Sequence, residues 1–361
     1  MKNKKIMLIM IIGLILVLLG TSIYFLVFKG NNDKESNKTT TTTTTTTTKV
    51  LKIVNPNTKS RPFAVMINNH NEARPLHSGL QDAYIIYEMI VEGGITRYLA
   101  VFLDQNTDRI GPVRSARHYF LDYALENDAI YVHHGKSPQA QADWKTLGVD
   151  RIEVSENYTG WRAKGLKTAS GKSVAYEHTL FTSIEKLNKG VGSKRTERKN
   201  DLLLNYSIDE LDLSNMEGLK EANNVSIRYS SYATSSYEYD AENKVYKRFV
   251  NGKAHKDYVT GKQYTFKNII TYQVKNSTIS GDNKGRQTIQ NIGSGEGYYI
   301  TNGVAVPITW SKKSRDSQTV YKFKNGEELK VNDGNTFIQI QPKGQTFEIK
   351  AKEVPTTETS N

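Results

Sequence analysis

Ile6–Phe28 carries no charged residue, and Lys2, Lys4 and Lys5 stand directly before it. At 1.5 Å per residue a helix of that length spans roughly 34 Å, enough to cross the hydrocarbon core of a bilayer. Positive charge on the short N-terminal side holds that end in the cytoplasm, so everything after Lys29 is expected outside. A cleaved secretory signal has a shorter apolar stretch ending in small residues of A-x-A type. Tyr24-Phe25-Leu26-Val27-Phe28 is a poor match to that pattern. The chain therefore reads as a single-pass membrane protein with a signal-anchor, residues 1–28 forming the cytoplasmic tip and transmembrane helix and the C-terminal part an ectodomain.

Residues 29–50 read as a tether. Gly30–Lys38 is polar and Thr39–Thr48 is an unbroken threonine run, which has no apolar surface to bury and is expected to stay disordered. The chain has no cysteine. That excludes a lipid on sulfur, a disulfide, a thiol nucleophile and the Cys-rich zinc sites. Export without cysteine suits a Gram-positive surface. The net charge of +12 is basic for an ectodomain. Outside a membrane the polyanions within reach are wall teichoic acids and anionic lipids, so a cell-wall or other anionic polymer is the expected partner alongside the membrane, and nucleic acid is not. A surface kept soluble by lysine is the alternative source of the same charge.

Two patterns divide the ectodomain. Residues 51–187 hold every histidine but His255 and the dense Arg/Glu/Gly motifs. Pro62–Asn68, Ala83–Glu92, Arg97–Asp104 and Ala129–His133 read as strands. Ser115–Asn127 reads as a helix capped by Ser115, and Ser137-Pro138 opens a second helix reaching about Leu147. That order implies a layered α/β (or α+β) domain. Residues 188–224 read as a linker region, with Lys189–Asn200 a charged, Gly-containing loop. Residues 225–350 alternate in short runs separated by Asn251-Gly252, Asn302-Gly303 and Asn325-Gly326, the strongest short hairpin signal, and predict a β-rich domain. Residues 351–361 read as a disordered tail.

The chemistry concentrates in the first of these domains. Ile110-Gly-Pro-Val-Arg114-Ser115-Ala-Arg117 lies across the expected helix start, where free N–H groups and the helix dipole favour an anion. Arg109, Arg114 and Arg117 add bidentate donors there; pairing with surface carboxylates is the alternative. His133 and His134 sit at the carboxyl end of the next strand, where ligands gather in open α/β sheets. Neighbours on a strand point to opposite faces, so the two rings do not chelate one metal; no metal and no cofactor is assigned. Strand alternation puts Glu88 and Glu92 on one face ahead of Arg97. If that face lines a cleft, a glutamate there serves as general acid; otherwise both pair with nearby arginines. Gly165–Ser173 misses the phosphate-loop spacing, and Ser183-Ile-Glu-Lys186 lacks the companion motifs of a penicillin-binding enzyme. Thr182–Glu185 fits a capping box, and Gly293-Ser-Gly295-Glu-Gly297 reads as a loop.

Arg61–Asn69, Tyr87–Arg97, Ile110–Arg117, Val132–Gly135 and, further on, Gly295–Ile300, Ile308–Trp310 and Asn335–Ile340 resemble the YerB-like lipoproteins, the family of domain of unknown function 3048, over about Arg61–Pro342. The resemblance implies a bacterial envelope location and an ectodomain of an N-terminal and a C-terminal domain, and brings no settled activity. The chain departs from the family in lacking the lipid-bearing cysteine. Tyr176-Glu-His178-Thr-Leu-Phe181 resembles a drifted form of the family's Pro-His-Asn-Leu-Tyr segment.

The functional expectation is a membrane-anchored extracytoplasmic protein that binds, and in the enzymatic version acts on, peptidoglycan or a lipid-linked phosphate precursor. Glu92 and His133 are the catalytic candidates, and Arg97, Arg109, Arg114, Ser115, Arg117 and His134 the ligand-binding ones. As an enzyme it would be a cell-wall glycan hydrolase or lyase, or a phosphoglycosyl-transfer enzyme. The alternative is a non-catalytic wall-binding or scaffolding module.

Overall fold

Four strands of six or seven residues are buried along their whole length: β1 (Phe63–Asn68), β2 (Ile85–Ile90), β3 (Thr96–Phe102) and the strand Thr336–Pro342. Strands buried at every position, the polar Gln339 and Gln341 included, need cover on both faces, unlike the alternating pattern of a half-exposed sheet. The computed structural model supplies that cover. It describes residues 49–352; the expected anchor, nearly all of the tether and most of the tail lie outside the described residues. Among the described residues no helix is long and apolar enough to cross a membrane.

The four strands are the middle of an 11-stranded mixed sheet. Its order runs Val320–Phe323, Val304–Lys312, Gly293–Thr301, Asn268–Val274, Thr336–Pro342, β2, β3, β1, β4 (Ile130–His133) and β5 (Arg151–Glu153), with Lys220–Glu221 at the side of Val304–Lys312. β2, β3 and β1 pair antiparallel; β1, β4 and β5 pair parallel. Thr336–Pro342 lies parallel to β2 on one side and to Asn268–Val274 on the other. The two segments read from the sequence as separate domains thus share one sheet, and this strand is the join.

A second, 6-stranded sheet of residues 224–350 covers one face. Its strands do alternate, Asn224–Arg228 and Val245–Val250 burying every other residue. The opposite face carries the helix His118–Glu126, whose Tyr119 hydroxyl reaches the Ile90 carbonyl at 2.8 Å. Adjacent residues of β2 show the two layers: Tyr87 donates to Glu126 of the helix at 2.7 Å, while Glu88 pairs with Arg248 of the second sheet. The expected α/β layering therefore survives only as a thin helical layer on a mostly β protein. Helices Pro138–Thr146 and Ile184–Lys189 are capped by Ser137 and Ser183, whose side chains accept from Ala140 and Lys186 N–H. The second cap is one residue later than the capping-box reading placed it.

Asn251-Gly252 and Asn302-Gly303 turn tightly with positive φ at both positions (49° and 73°; 50° and 79°), as the Asn-Gly signal requires. Gly293–Thr301 is a strand and not a loop. Its glycines answer to neighbours: a Cβ on Gly295 would lie 2.8 Å from Trp310 Nε1, and one on Gly297 2.4 Å from Thr271 O. Trp310 itself stacks on Tyr272 at 4.8 Å in the core. The Lys189–Asn200 stretch is tied down at several points. Arg195 pairs with Asp128, Arg198 Nη2 donates to Thr58 O at 2.9 Å, and Arg61 N–H donates to Thr196 O at 2.7 Å.

Candidate functional site

The Ile110–Ala116 segment runs along the end of β1 without becoming helical. Gly111 and Pro112 are joined by a cis peptide bond, and the chain then runs extended beside β1. Arg114 N–H donates to Met66 O at 2.9 Å, Val113 N–H to Leu180 O at 2.8 Å, and Ala116 N–H to Gly135 O at 3.0 Å. These bonds hold Val113–Ala116 straight, so the helix starts only at His118, with Arg117 in the cap position and no side-chain cap. Ser115 does not cap it. Its carbonyl instead accepts from Arg97 Nη1 at 2.8 Å.

Arg117 forks onto Glu92, with Nη2 2.9 Å from Oε2 and Nε against Oε1, and its Nη1 donates to Ala116 O at 2.7 Å. Arg97 Nη2 lies 3.7 Å from the same carboxylate. Burial opposes ionisation of Glu92, but the Arg117 hydrogen bond and the Arg97 charge outweigh it and hold the carboxyl below its ordinary value. A carboxylate held ionised in this way is an ion-pair member and a poor general acid. Glu88 is likewise paired, with Arg248 at 2.8 Å, and fully buried. The arginine-paired reading of both glutamates is the one the geometry fits.

Arg114 lies in the same charged group but turns to the exposed carboxylate of Glu177 at 3.3 Å. The remaining candidates lie elsewhere. Arg109 stacks on Phe181 (3.9 Å) and faces Tyr258 (4.9 Å), in a separate cleft beside Asp82, Thr107 and Asp257. His133 is fully buried against Tyr131 and Trp144, its Nδ1 2.9 Å from Gly135 O. Burial pushes its pKa down to about 4, so the ring is neutral and has no path to a surface ligand. His134 contacts Val154 O at 2.9 Å and Arg162 at 3.2 Å. The structure thus gathers Glu92, Arg97, Arg114, Ser115 and Arg117, and turns the side chains of Arg109, His133 and His134 elsewhere, although His134 N–H donates to Arg114 O at 3.1 Å.

Beyond Arg114 lies a group that the sequence reading did not assemble. β1 ends at Asn68, and the turn that follows presents His70, Glu72 and Arg74. The short turn Tyr176–His178 brings His178 against it. The His70 and His178 rings stack at 4.8 Å, His178 Nε2 is 4.0 Å from Glu72 Oε2, and His178 Nδ1 is 2.7 Å from the Asn68 amide. Burial, the His70 ring and the Arg114 charge lower the pKa of His178, so it is neutral at pH 7. Polar residues closing a buried strand, Asn68-Asn69-His70, were the available signal.

A buried polar chain backs this turn. Asn68 O contacts His77 Nε2 at 2.6 Å, His77 Nδ1 contacts His255 Nε2 at 2.7 Å, and His255 Nδ1 contacts Arg248 at 2.8 Å. Arg248 pairs with Glu88, Thr96 donates to Glu88 at 2.6 Å, Asn69 donates to Thr96 at 2.6 Å, and Arg74 Nε donates to Asn69 at 2.9 Å. The surface turn is therefore held by the same network that joins the two sheets. Arg74 stands between two clefts of about 770 and 730 Å³. The first is lined by His70, Asn71, Arg74, Tyr232 and Asn251, with no carboxylate. The second is lined by Arg74, Lys167, Lys172, Lys253 and Lys256 against only Glu72 and Asp257.

Comparison with known proteins assigns no chemistry to these clefts. The chain is 32% identical over 298 residues, 81% of its length and 84% of the relative's, to YerB of Bacillus subtilis (strain 168), named as a candidate lipoprotein. The crystal structure of YerB from Bacillus subtilis superposes with a TM-score of 0.67 at 29% identity, covering 81% of this chain and 94% of that one. Residues 47–198 match the N-terminal domain, and residues 225–338 the C-terminal domain, of the protein family of unknown function DUF3048, to which this chain belongs.

Proposed function

We propose that this chain is a membrane-anchored protein of the cell envelope that binds an anionic wall polymer or lipid-linked phosphate in the clefts on either side of Arg74. The observation that carries the reading is the lining of the second cleft, five cationic side chains against two carboxylates. Multiple solvated lysines around one arginine suit a polyphosphate better than a single small anion, because each exposed contact is weak and the sum is not. The lipoprotein name of the Bacillus subtilis relative supports the envelope setting. The charge-free run Ile6–Phe28 would supply the anchor that cysteine cannot.

A binding module is favoured over an enzyme by one specific observation: Glu88 and Glu92, the glutamates considered for acid catalysis, are both committed to arginines. The test is cosedimentation of the full-length chain with purified Gram-positive cell walls, with and without their phosphate polymers. Binding should fall with added salt, fall when the phosphate polymer is stripped, and be largely lost when Lys167, Lys172, Lys253 and Lys256 are changed together to Gln. All four are exposed, so the fold should be unaffected. Undiminished binding by that variant would remove the reading.

A further inference from the structure

His70, Glu72 and His178 each present a ligand atom within 4.8 Å of the other two. They come from two separate stretches of chain, the turn after β1 and the turn Tyr176–His178, each positioned by the fold. His178 is buried, while His70 and Glu72 are half-buried. Two imidazoles and one carboxylate form the donor set of a three-ligand zinc site with an open fourth position. We propose that His70, Glu72 and His178 bind a divalent transition-metal ion, zinc in the first instance, at the mouth of the cleft beside Arg74.

Donors bound to one zinc lie about 3.3 Å apart, so Glu72 closes inward by about 1 Å and the half-buried His70 ring, now stacked on His178 at 15°, turns out of the stack to bring its in-plane lone pair to the same point. The buried His178 then needs its Nε2 lone pair toward the metal and a proton on Nδ1. Asn68 is the group that would hold that proton, 2.7 Å away. As placed, Asn68 gives its NH2 to His178 and its oxygen to the His70 main-chain N–H at 3.1 Å. Metal capture therefore turns the Asn68 amide over and gives up the second of these bonds. An aspartate at this position could accept from both donors at once. Arg114 opposes a cation here, and its partner Glu177 offsets that charge. His70 also lines the cleft beside Arg74, so an anionic group held there could complete the coordination.

The experiment is calorimetric titration of the metal-free, full-length chain with zinc chloride, and separately with magnesium chloride. One zinc should bind per chain, and magnesium should not bind at the same concentrations, because it prefers oxygen donors. His70→Ala, Glu72→Gln and His178→Gln should each weaken zinc binding by about tenfold or more, and Asn68→Asp should tighten it by about tenfold. Should His178→Gln fail to fold, the half-buried His70 and Glu72 variants decide the matter. The exposed lysine variant of the preceding section should bind zinc normally, so this site and the anion clefts stand or fall separately. Absence of zinc binding, or binding unchanged in His70→Ala and Glu72→Gln, would overturn the proposal.

Discussion

Removing one half of the Glu88–Arg248 pair should destabilise the protein more than removing both. The two side chains are 1% and 0% exposed and 2.8 Å apart. Arg248 also bonds Ser235 at 2.8 Å and His255, and Glu88 accepts from Thr96, Ser235 and Gln339. Arg248→Met leaves a carboxylate with no water and no counter-charge; breaking a buried pair in this way costs about 3–5 kcal/mol. Each kcal/mol moves the thermal midpoint by about 2–4 °C in domains of a few hundred residues, so the shift should be of order 10 °C. Glu88→Leu alone should cost a similar amount. The double variant buries neither charge and should recover most of the loss, giving a coupling energy of about 2–3 kcal/mol in a double-mutant cycle. Urea denaturation followed by tryptophan fluorescence measures all four corners. Because the pair spans the two sheets, each variant should still unfold in one transition. Single variants costing under about 1 kcal/mol, or additive losses in the double, would show that the network is not what joins the sheets.

Acid should weaken the fold before carboxylates titrate. Burial pushes His77 down to about 3 and His133 to about 4, and burial with the Arg248 charge holds His255 well below its ordinary value. Below about pH 6.5 the unfolded chain takes up these protons and the folded one does not, so stability falls with pH at up to about 1.4 kcal/mol per unit for each histidine. Asp122, pushed up to about 6 by burial, offsets one of them below that pH. Urea midpoints at pH 7 and pH 5 test this, and a flat profile would contradict the buried, neutral histidines. Gly297→Ala should cost about 1–3 kcal/mol by the same assay, since its Cβ would meet Thr271 O at 2.4 Å; a change under about 0.5 kcal/mol would mean that the strand pair has slack.

Local signals in the sequence carried the elements well and their assembly poorly. Strands β1 to β4, the Ser137 cap and the Asn-Gly turns fall where period, capping and turn chemistry place them. Ser115 misled because Ser before an apolar helical face is a cap signal, while the bonds from Val113, Arg114 and Ala116 to distant carbonyls are invisible locally. The sheet join was illegible for the same reason. Thr336–Pro342 reads as one more short strand, and nothing in its own residues says that β2 is its neighbour. His133 and His134 drew attention as a pair, yet adjacent residues on a strand diverge. The histidines that do meet, His70 with His178 and His77 with His255, lie far apart along the chain.

The placement of Thr336–Pro342 has a consequence for how such a chain is made. The strand that fills the middle of the large sheet is synthesised after both of its neighbours, Ile85–Ile90 and Asn268–Val274. Until it arrives each neighbour has an open edge, a row of unpaired N–H and C=O groups ready to join another chain. Pairing residue 86 with residue 337 also closes a very long loop, which makes the final step slow. A nascent chain therefore stays vulnerable to aggregation until Thr336–Pro342 has emerged. In a product truncated before Thr336 the large sheet would remain as two unsatisfied halves.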